Sequence, residues 1–166
     1  MSIHADHPFA TPRDRRDAAR RFRGRLVQPV TLWASGAGPG RVGLTVSSVL
    51  IGLGEPPVVV GLVDPDSDFA LGLTDTLTVA ILTPADRLLA EAFAGVAPAP
   101  GGPFRLAAFT DTDWGPVPAA SGSWLGARVL DRRDLGWSTE VVATIEHVEL
   151  RDAAPLAHVR GGYLTP

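Results

Sequence analysis

A closed antiparallel β-barrel with peripheral helices is the fold this sequence predicts, and three observations carry the prediction. Six or seven short segments either alternate apolar and polar residues or run apolar for the length of a strand, among them 28–34, 43–48, 58–63, 77–81, 125–129 and 141–148. They follow one another without the regular interposed helices of a parallel, doubly wound sheet. With 18 Gly and 15 Pro in 166 residues, the chain favours short elements and tight turns over long helices. This length suits one domain with a core of its own. Residues 1–10 read as a disordered N-terminus and 11–166 as the single domain.

Taken in order, Thr11-Pro12-Arg13-Asp14 reads as a helix start. Thr11 is the N-cap, Pro12 sits where its missing N–H does no harm, and Asp14 is placed to return a capping bond. The helix that follows is mostly Arg, with a thin stripe of Ala18, Ala19 and Phe22, and belongs on the surface. Gln28 to Ala34 sets Val30, Leu32 and Ala34 against Thr31 and Trp33, a half-buried strand. The Gly-rich run Ser35 to Gly40 lacks the Lys-Ser/Thr of a phosphate loop and leads into no helix, so it is a hairpin turn. Pro56 and Pro57 lie outside sheet pairing because neither donates to a ladder. Val58 to Val63 is continuously apolar, a central strand buried on both faces. Asp64-Pro65 permits a turn and a short helix through Phe69 to Leu73, and Leu77, Val79 and Ile81 mark another strand.

Thr83-Pro84-Ala85-Asp86 repeats the cap at Thr11. Ala85, Leu88, Leu89, Ala92 and Phe93 then fall at helical spacing, with Gly95 placed to end the helix. Residues 96–123 read as a long ordered loop with short strands around Phe104 to Phe109, of a length usually reserved for function or an interface. Leu125, Ala127 and Val129 form one strand face. Val141, Ala143, Ile145 and His147 form another, opposite Val142, Thr144 and Val148, and Leu156 to Val159 supplies the last strand.

Composition excludes several chemistries. The absence of Cys removes disulfides, thiolate metal sites and Cys nucleophiles. All fifteen basic residues are Arg, so Schiff-base chemistry and phosphate binding by Lys are removed too. His4, His7, His147 and His158 are too dispersed for a metal site. Asp64, Asp66 and Asp68 alternate as a calcium loop opens, but Phe69 and Asp75 stand where its Gly and Glu belong. No apolar run approaches the ~20 residues that span a membrane, and the N-terminus is not a signal peptide, so a cytoplasmic protein is expected. Residues 13–25 carry seven Arg against Asp14 and Asp17 in a chain of net charge −3. Such an arm is either a solvated helix face along an acidic body or a site for an anionic partner. Nucleic acid is not expected, since only Phe22 is interleaved for stacking.

The segment Arg41 to Phe69 organises the rest. Thr45, Ser47 and Ser48 sit inside an otherwise apolar run, where a hydroxyl without a partner costs roughly 1–3 kcal/mol. Either these hydroxyls bond to nearby backbone at a bulge or strand end, or they face a ligand rich in acceptors. Gly43-Leu44-Thr45-Val46-Ser47-Ser48, the pair Pro56-Pro57, and a strand ending Asp64-Pro65-Asp66-Ser67 together resemble the flavin reductase family of FMN-binding split barrels. The likeness continues through Phe93-Ala94-Gly95, Pro100 to Phe104, Trp114-Gly115-Pro116-Val117, Pro155-Leu156 and His158 to Tyr163, covering the chain from about Phe22 onward.

That resemblance implies a Greek-key split barrel and a homodimer with flavin at its interface. It implies a reductase passing hydride from NAD(P)H to FMN, with FAD as the alternative flavin and a monooxygenase as the receiver of reduced flavin. Thr45, Val46, Ser47 and Ser48 would then contact the flavin, Val63 and Asp64 would lie along its ring, and Ser67 would either reach the phosphate or simply cap its helix. His158 would sit near the nicotinamide or flavin and Arg160 would serve a phosphate; the plain alternatives are a strand-edge His and an ion-paired Arg. Trp114, Trp124 and Trp137 either wall the pocket or pack in core and interface. This sequence departs from the family pattern at Asp68-Phe69 in place of Arg-Thr, at Ile51 and Leu53 in place of serines, and at Gly162 in place of Arg. Those departures keep two other readings open: a flavin-binding electron carrier without nicotinamide turnover, and a deazaflavin-dependent reductase.

Overall fold

The computed structural model describes residues 13–164, with side chains from residue 18 onward. The expected disordered N-terminus and the Thr11–Asp14 cap therefore lie outside the described residues. In chain order the elements are α1 (Arg13–Arg25), β1 (Gln28–Pro29), β2 (Thr31–Ser35), β3 (Val42–Val46), β4 (Val49–Gly52), β5 (Val58–Val63), α2 (Asp68–Gly72), β6 (Thr76–Ile81), α3 (Arg87–Phe93), β7 (Phe109–Thr112), β8 (Gly115–Pro118), β9 (Trp124–Leu135), β10 (Ser138–Glu149), β11 (Ala157–Val159) and β12 (Gly162–Leu164). Seven strands make the central sheet, in the order β3-β2-β6-β9-β10-β5-β4, with every neighbouring pair antiparallel. Small sheets β1-β11-β12 and β7-β8 flank it.

The order has a geometric consequence. Strands β3 and β4 stand at opposite edges of one sheet, yet only Ser47 and Ser48 separate them in the chain. Two residues span at most about 7 Å, so the sheet must curl until its edges meet. The edges share no ladder, and the barrel is split along that seam rather than closed as the strand pattern alone suggests.

Strand periodicity then decides what fills the barrel. Trp33, Val46, Val59, Val63, Leu77, Val79, Ala127, Val141 and Ala143 point inward, and Phe69 and Leu73 of the α2 region plug one end. Trp33 is the central piece, fully buried and edge-on to Phe69 at 6.2 Å. Its indole N–H donates to Thr31 Oγ1 (3.1 Å), and the Thr31 hydroxyl donates to the Val46 carbonyl (2.6 Å). Space for the indole comes from Gly61, where a Cβ would lie 2.5 Å from Trp33 Cζ2.

Strand β2 is buried on both faces, not one, because α3 covers its outer side. Val30, Leu32, Leu82 and Leu156 meet Leu89, Ala90 and Phe93 there. The N-terminal box before α3 forms as expected, with the Thr83 N–H and hydroxyl both donating to Asp86 Oδ2 at 2.8 and 2.9 Å. Gly95, at φ 75°, ends the helix. Leu88, expected in the buried stripe, is exposed and Ala90 takes its place. A 3₁₀ turn at Pro84–Asp86 precedes the α-helix, and its tighter winding shifts the phase of the apolar face.

Three further expectations change. Val58, Val60 and Leu62 are half-buried, so β5 is fully covered on its inner face alone. The loop 96–123 holds its strands at 109–112 and 115–118, with Phe104 in a 3₁₀ turn. In β10 the register slips between Ile145 and His147, leaving Glu146 as the extra residue of a bulge. His147 is thereby turned to the outside, where it stacks on Trp114 at 5.0 Å and lies 4.9 Å from Trp124. Trp124 is buried there, with Trp114 packed against it, and also lines an apolar cavity of about 290 Å³, and Trp137 is exposed at the tip of the β9–β10 hairpin. Glu146 accepts from the Trp114 indole (3.0 Å) and from Arg128 Nε (3.3 Å).

Two outcomes follow from this packing. Gly61→Ala should destabilise the protein by about 1–3 kcal/mol, read as a lower denaturation midpoint with unchanged slope. The Trp114 indole first, and Arg128 second, hold the Glu146 carboxyl below its ordinary range. A depressed carboxyl stabilises the fold above its unfolded-state value and loses that contribution as pH falls through the folded one. Tryptophan emission should therefore show an acid transition below the usual carboxylate range that Glu146→Gln abolishes.

Candidate functional site

The seam fixes what the organising segment presents. Leu62 N–H donates to Ser48 O (3.1 Å), which ties the C-terminal end of β5, and so Val63 and Asp64 after it, to the Ser47–Ser48 crossing. Beside that crossing runs a groove of about 580 Å³, within the ~300–1,000 Å³ range of cofactor and small-molecule sites. Its floor is apolar, from Val60, Leu62, Val49 and Leu50; Gln28 and Arg23 form one wall and Glu140 the other. Glu140 holds Arg133 through two bonds of 2.7 and 3.4 Å, and that pairing raises the Arg133 pKa.

The side chains predicted for the site divide into two groups. Ser47 and Ser48 line the groove half-exposed, and neither hydroxyl has a partner among the described residues. Thr45 is committed elsewhere: its hydroxyl donates to the Ala90 carbonyl of α3 (2.7 Å). Val46 and Val63 are buried with their side chains in the barrel core, leaving only backbone for a ligand. Ser67 caps α2, accepting from Ala70 N–H (3.1 Å) and donating to Asp64 O (2.6 Å). The Asp64 carboxylate is exposed and accepts from Asp66 N–H (2.9 Å).

Gln28, which lines the groove, pairs in β1 with His158 of β11, which does not line it. His158 is half-buried and edge-on to Tyr163 at 5.4 Å. Arg160 stands in the β11–β12 turn, exposed, with its N–H bound to Gly24 O (2.7 Å). The fold therefore brings the serine crossing together with Val60 and Leu62 of β5 around one groove, whereas Thr45, Val46, Val63, Asp64, Ser67, His158 and Arg160 do not line it. Gln28 and Glu140 went unrecognised in the sequence; Gln28, a polar residue opening an apolar strand, was the available signal.

A flat apolar ring fits this slot, because the floor is hydrocarbon and the free hydroxyls lie at its rim. A phosphate does not fit beside β4, where Ile51 and Leu53 are exposed apolar side chains, or beside Asp68. Among the described residues no cluster of three or more His, Cys, Asp or Glu is suited to a metal ion.

Comparison with known proteins gives the fold and the family. The profile of the flavin reductase like domain matches residues 23–165. Among solved structures, the NADH:FAD oxidoreductase SgcE6 of Streptomyces globisporus C-1027 superposes with a TM-score of 0.81 at 20% identity, covering 94% of this chain and 95% of that one. Nitrilotriacetate monooxygenase component B from Mycobacterium thermoresistibile gives 0.79 at 21% identity, covering 91% and 86%. BorF, the flavin reductase component of a bacterial two-component tryptophan halogenase, gives 0.79 at 17%, covering 90% and 96%. No curated protein matches the chain by sequence. The structural likeness establishes the fold, and the profile match the family: the chain belongs to the flavin reductase-like domain family. That family comprises NAD(P)H-dependent flavin oxidoreductases of mainly β architecture.

The division between engaged and free hydroxyls has a measurable outcome. Thr45→Val should lower stability by about 0.5–1.5 kcal/mol, the net worth of a hydrogen bond, while leaving flavin affinity within twofold. Titrating flavin fluorescence against the variant, alongside its unfolding curve, separates the two effects.

Proposed function

We propose that this chain is a flavin reductase that binds FMN, or alternatively FAD, in the Ser47–Ser48 groove and reduces it with NAD(P)H. The observation that carries the reading is the pair of unpartnered serine hydroxyls over an apolar floor, where the barrel's two edges meet. In this reading Ser47 and Ser48 take hydrogen bonds from or to the flavin's polar rim. The backbone of Thr45, Val46, Val63 and Asp64 borders the ring, and Ser67 steadies the turn that carries Asp64. Bound flavin supplies the hydride acceptor and the nicotinamide the donor. The chain contributes placement, holding the two rings in contact and shielding them from water, with His158 positioned at the nicotinamide side.

The apolar surface supports a homodimer. Leu50, Leu53 and Leu150 are 71%, 93% and 83% exposed, and Ile51, Ile81, Val148 and Leu150 line an apolar cavity of about 290 Å³ at the barrel mouth. Exposed apolar side chains of this kind, gathered around an apolar cavity, are what a subunit interface covers. Ile51 and Leu53 would serve that interface. The class of neighbours supports a partner oxygenase as the consumer of reduced flavin, with both working in the cytoplasm. Among the described residues no helix is long and apolar enough to cross a membrane.

The test is an absorption spectrum of the purified protein, supplemented with FMN, near about 450 nm where oxidised flavin absorbs, before and after NADH or NADPH. Bleaching is expected. Retained colour without bleaching would make the chain an electron carrier, and binding of deazaflavin alone would replace the cofactor. Ser47→Ala combined with Ser48→Ala should weaken FMN by about tenfold, and sedimentation should show a dimer that Leu53→Glu dissociates.

A further inference from the structure

We infer that Glu140 orients the ring bound in the groove, its carboxylate accepting from an N–H donor at the margin opposite the serine crossing. The inference rests on the flavin reductase reading above and deepens it. It starts from strand register. Residues directly opposite one another on neighbouring strands point to the same face of a sheet. Arg133 of β9 stands opposite Glu140 of β10, and Glu140 stands opposite Leu62 of β5. Leu62 N–H in turn donates to Ser48 O (3.1 Å). Arg133, Glu140, Leu62 and Ser48 therefore form one row across the face that carries the groove. Two residues further along β5, Leu50 stands opposite Val60 and adds a second row, of hydrocarbon.

That first row gives the groove two unlike margins. Ser48, Leu62 and Glu140 all line it. Neighbouring strands lie about 4.8 Å apart, so the backbones of Ser48 and Glu140 are about 10 Å apart, with Leu62 between them. A flat ring resting on the Leu62 and Val60 side chains meets a free hydroxyl at one margin and a carboxylate at the other. In a pocket with an apolar floor, a few polar groups placed in this way set the ligand's orientation.

The carboxylate is equipped for a neutral donor. Arg133, on the far side of Glu140 from Leu62, donates Nε to Oε1 (2.7 Å) and a second nitrogen to Oε2 (3.4 Å). An ionised carboxylate offers about four acceptor positions. Arg133 takes two of them, and it is the one donor to Glu140 among the described residues. The Glu140 side chain is 16% exposed against 63% for Arg133, so the acceptor belongs to the groove wall and the cation to the surface. A phosphate is repelled at this margin, and a bare hydrocarbon edge leaves the half-covered carboxylate without a partner, whereas an imide or amide N–H satisfies it. Each ring of the proposed reaction carries one such group: the imide N–H of the flavin and the carboxamide of the nicotinamide.

The experiment compares wild type with Glu140→Ala, which removes the acceptor, and with Arg133→Leu, which removes the same ion pair but keeps the acceptor. Loss of a surface ion pair by itself leaves a fold intact. Binding of FMN, and of FMN methylated on its imide nitrogen, is followed by flavin fluorescence. KM and kcat are measured for NADH and for its acetylpyridine analogue, whose acetyl group lacks the amide N–H. Wild type should prefer the N–H-bearing member of one pair by about 10- to 100-fold, the worth of a hydrogen bond to a charged acceptor. Glu140→Ala should shrink that preference to within about threefold, while Arg133→Leu keeps most of it. Collapse in the flavin pair assigns the donor to the flavin imide, and collapse in the nicotinamide pair assigns it to the carboxamide. No preference in wild type, a preference that survives Glu140→Ala, or the same loss for every ligand in both variants overturns the assignment while leaving the reductase intact. A wild-type protein that neither binds flavin nor oxidises NADH overturns the underlying reading instead.

Discussion

The architecture depends on one constraint: two residues, Ser47 and Ser48, join strands that occupy opposite edges of a single sheet. Everything near the candidate site follows from it. The sheet must curl, so its inner face becomes a core narrow enough for one indole to fill, and Trp33 fills it against Gly61. The crossing cannot be laddered to both neighbours at once, so its backbone and hydroxyls are left for other partners. The fold secures the crossing at its two flanks instead. Thr31 binds the Val46 carbonyl on one side, and Leu62 binds the Ser48 carbonyl on the other. A polar corner, tied at both flanks, in an otherwise apolar barrel suits a flat cofactor with a polar rim.

Much of this was legible in the sequence because strand periodicity and turn chemistry are local signals. The β2–β3 hairpin, the exclusion of Pro56 and Pro57 from pairing, the box at Thr83–Asp86 and the stop at Gly95 all emerged where local rules place them. What failed was set by distant contacts. Whether β2 is buried on one face or two depends on α3, roughly fifty residues away in the chain. The bulge at Glu146, which reverses the face of His147, has no local signature. Among the site residues, Ser47 and Ser48 read the same in sequence as Thr45, and only the position of Ala90 separates a structural hydroxyl from two free ones. Gln28 reaches the groove from β1 of the small β1-β11-β12 sheet, a pairing between distant parts of the chain that no local pattern announces, and Arg23 reaches it from α1.

The departures from the family pattern acquire a common sense in this frame. Ile51 stands on β4, an edge strand with one neighbour, where its side chain lines the apolar mouth of the barrel, and Leu53 follows just beyond the strand, almost fully exposed. Aliphatic residues at an edge serve burial against another surface better than they serve an anion. Polar recognition and subunit contact thus occupy different parts of the same short segment: hydroxyls at the crossing, hydrocarbon a few residues on.

The unladdered seam has a mechanical corollary. A hydrogen-bonded hoop resists widening because each strand pair must part before the circumference grows. Here the circumference is interrupted at one line, and the only covalent tie across it is the serine crossing. Compliance is therefore concentrated where the flat ligand would lodge, so the cavity can adjust its width to a planar guest while the Trp33 packing behind it stays unaltered.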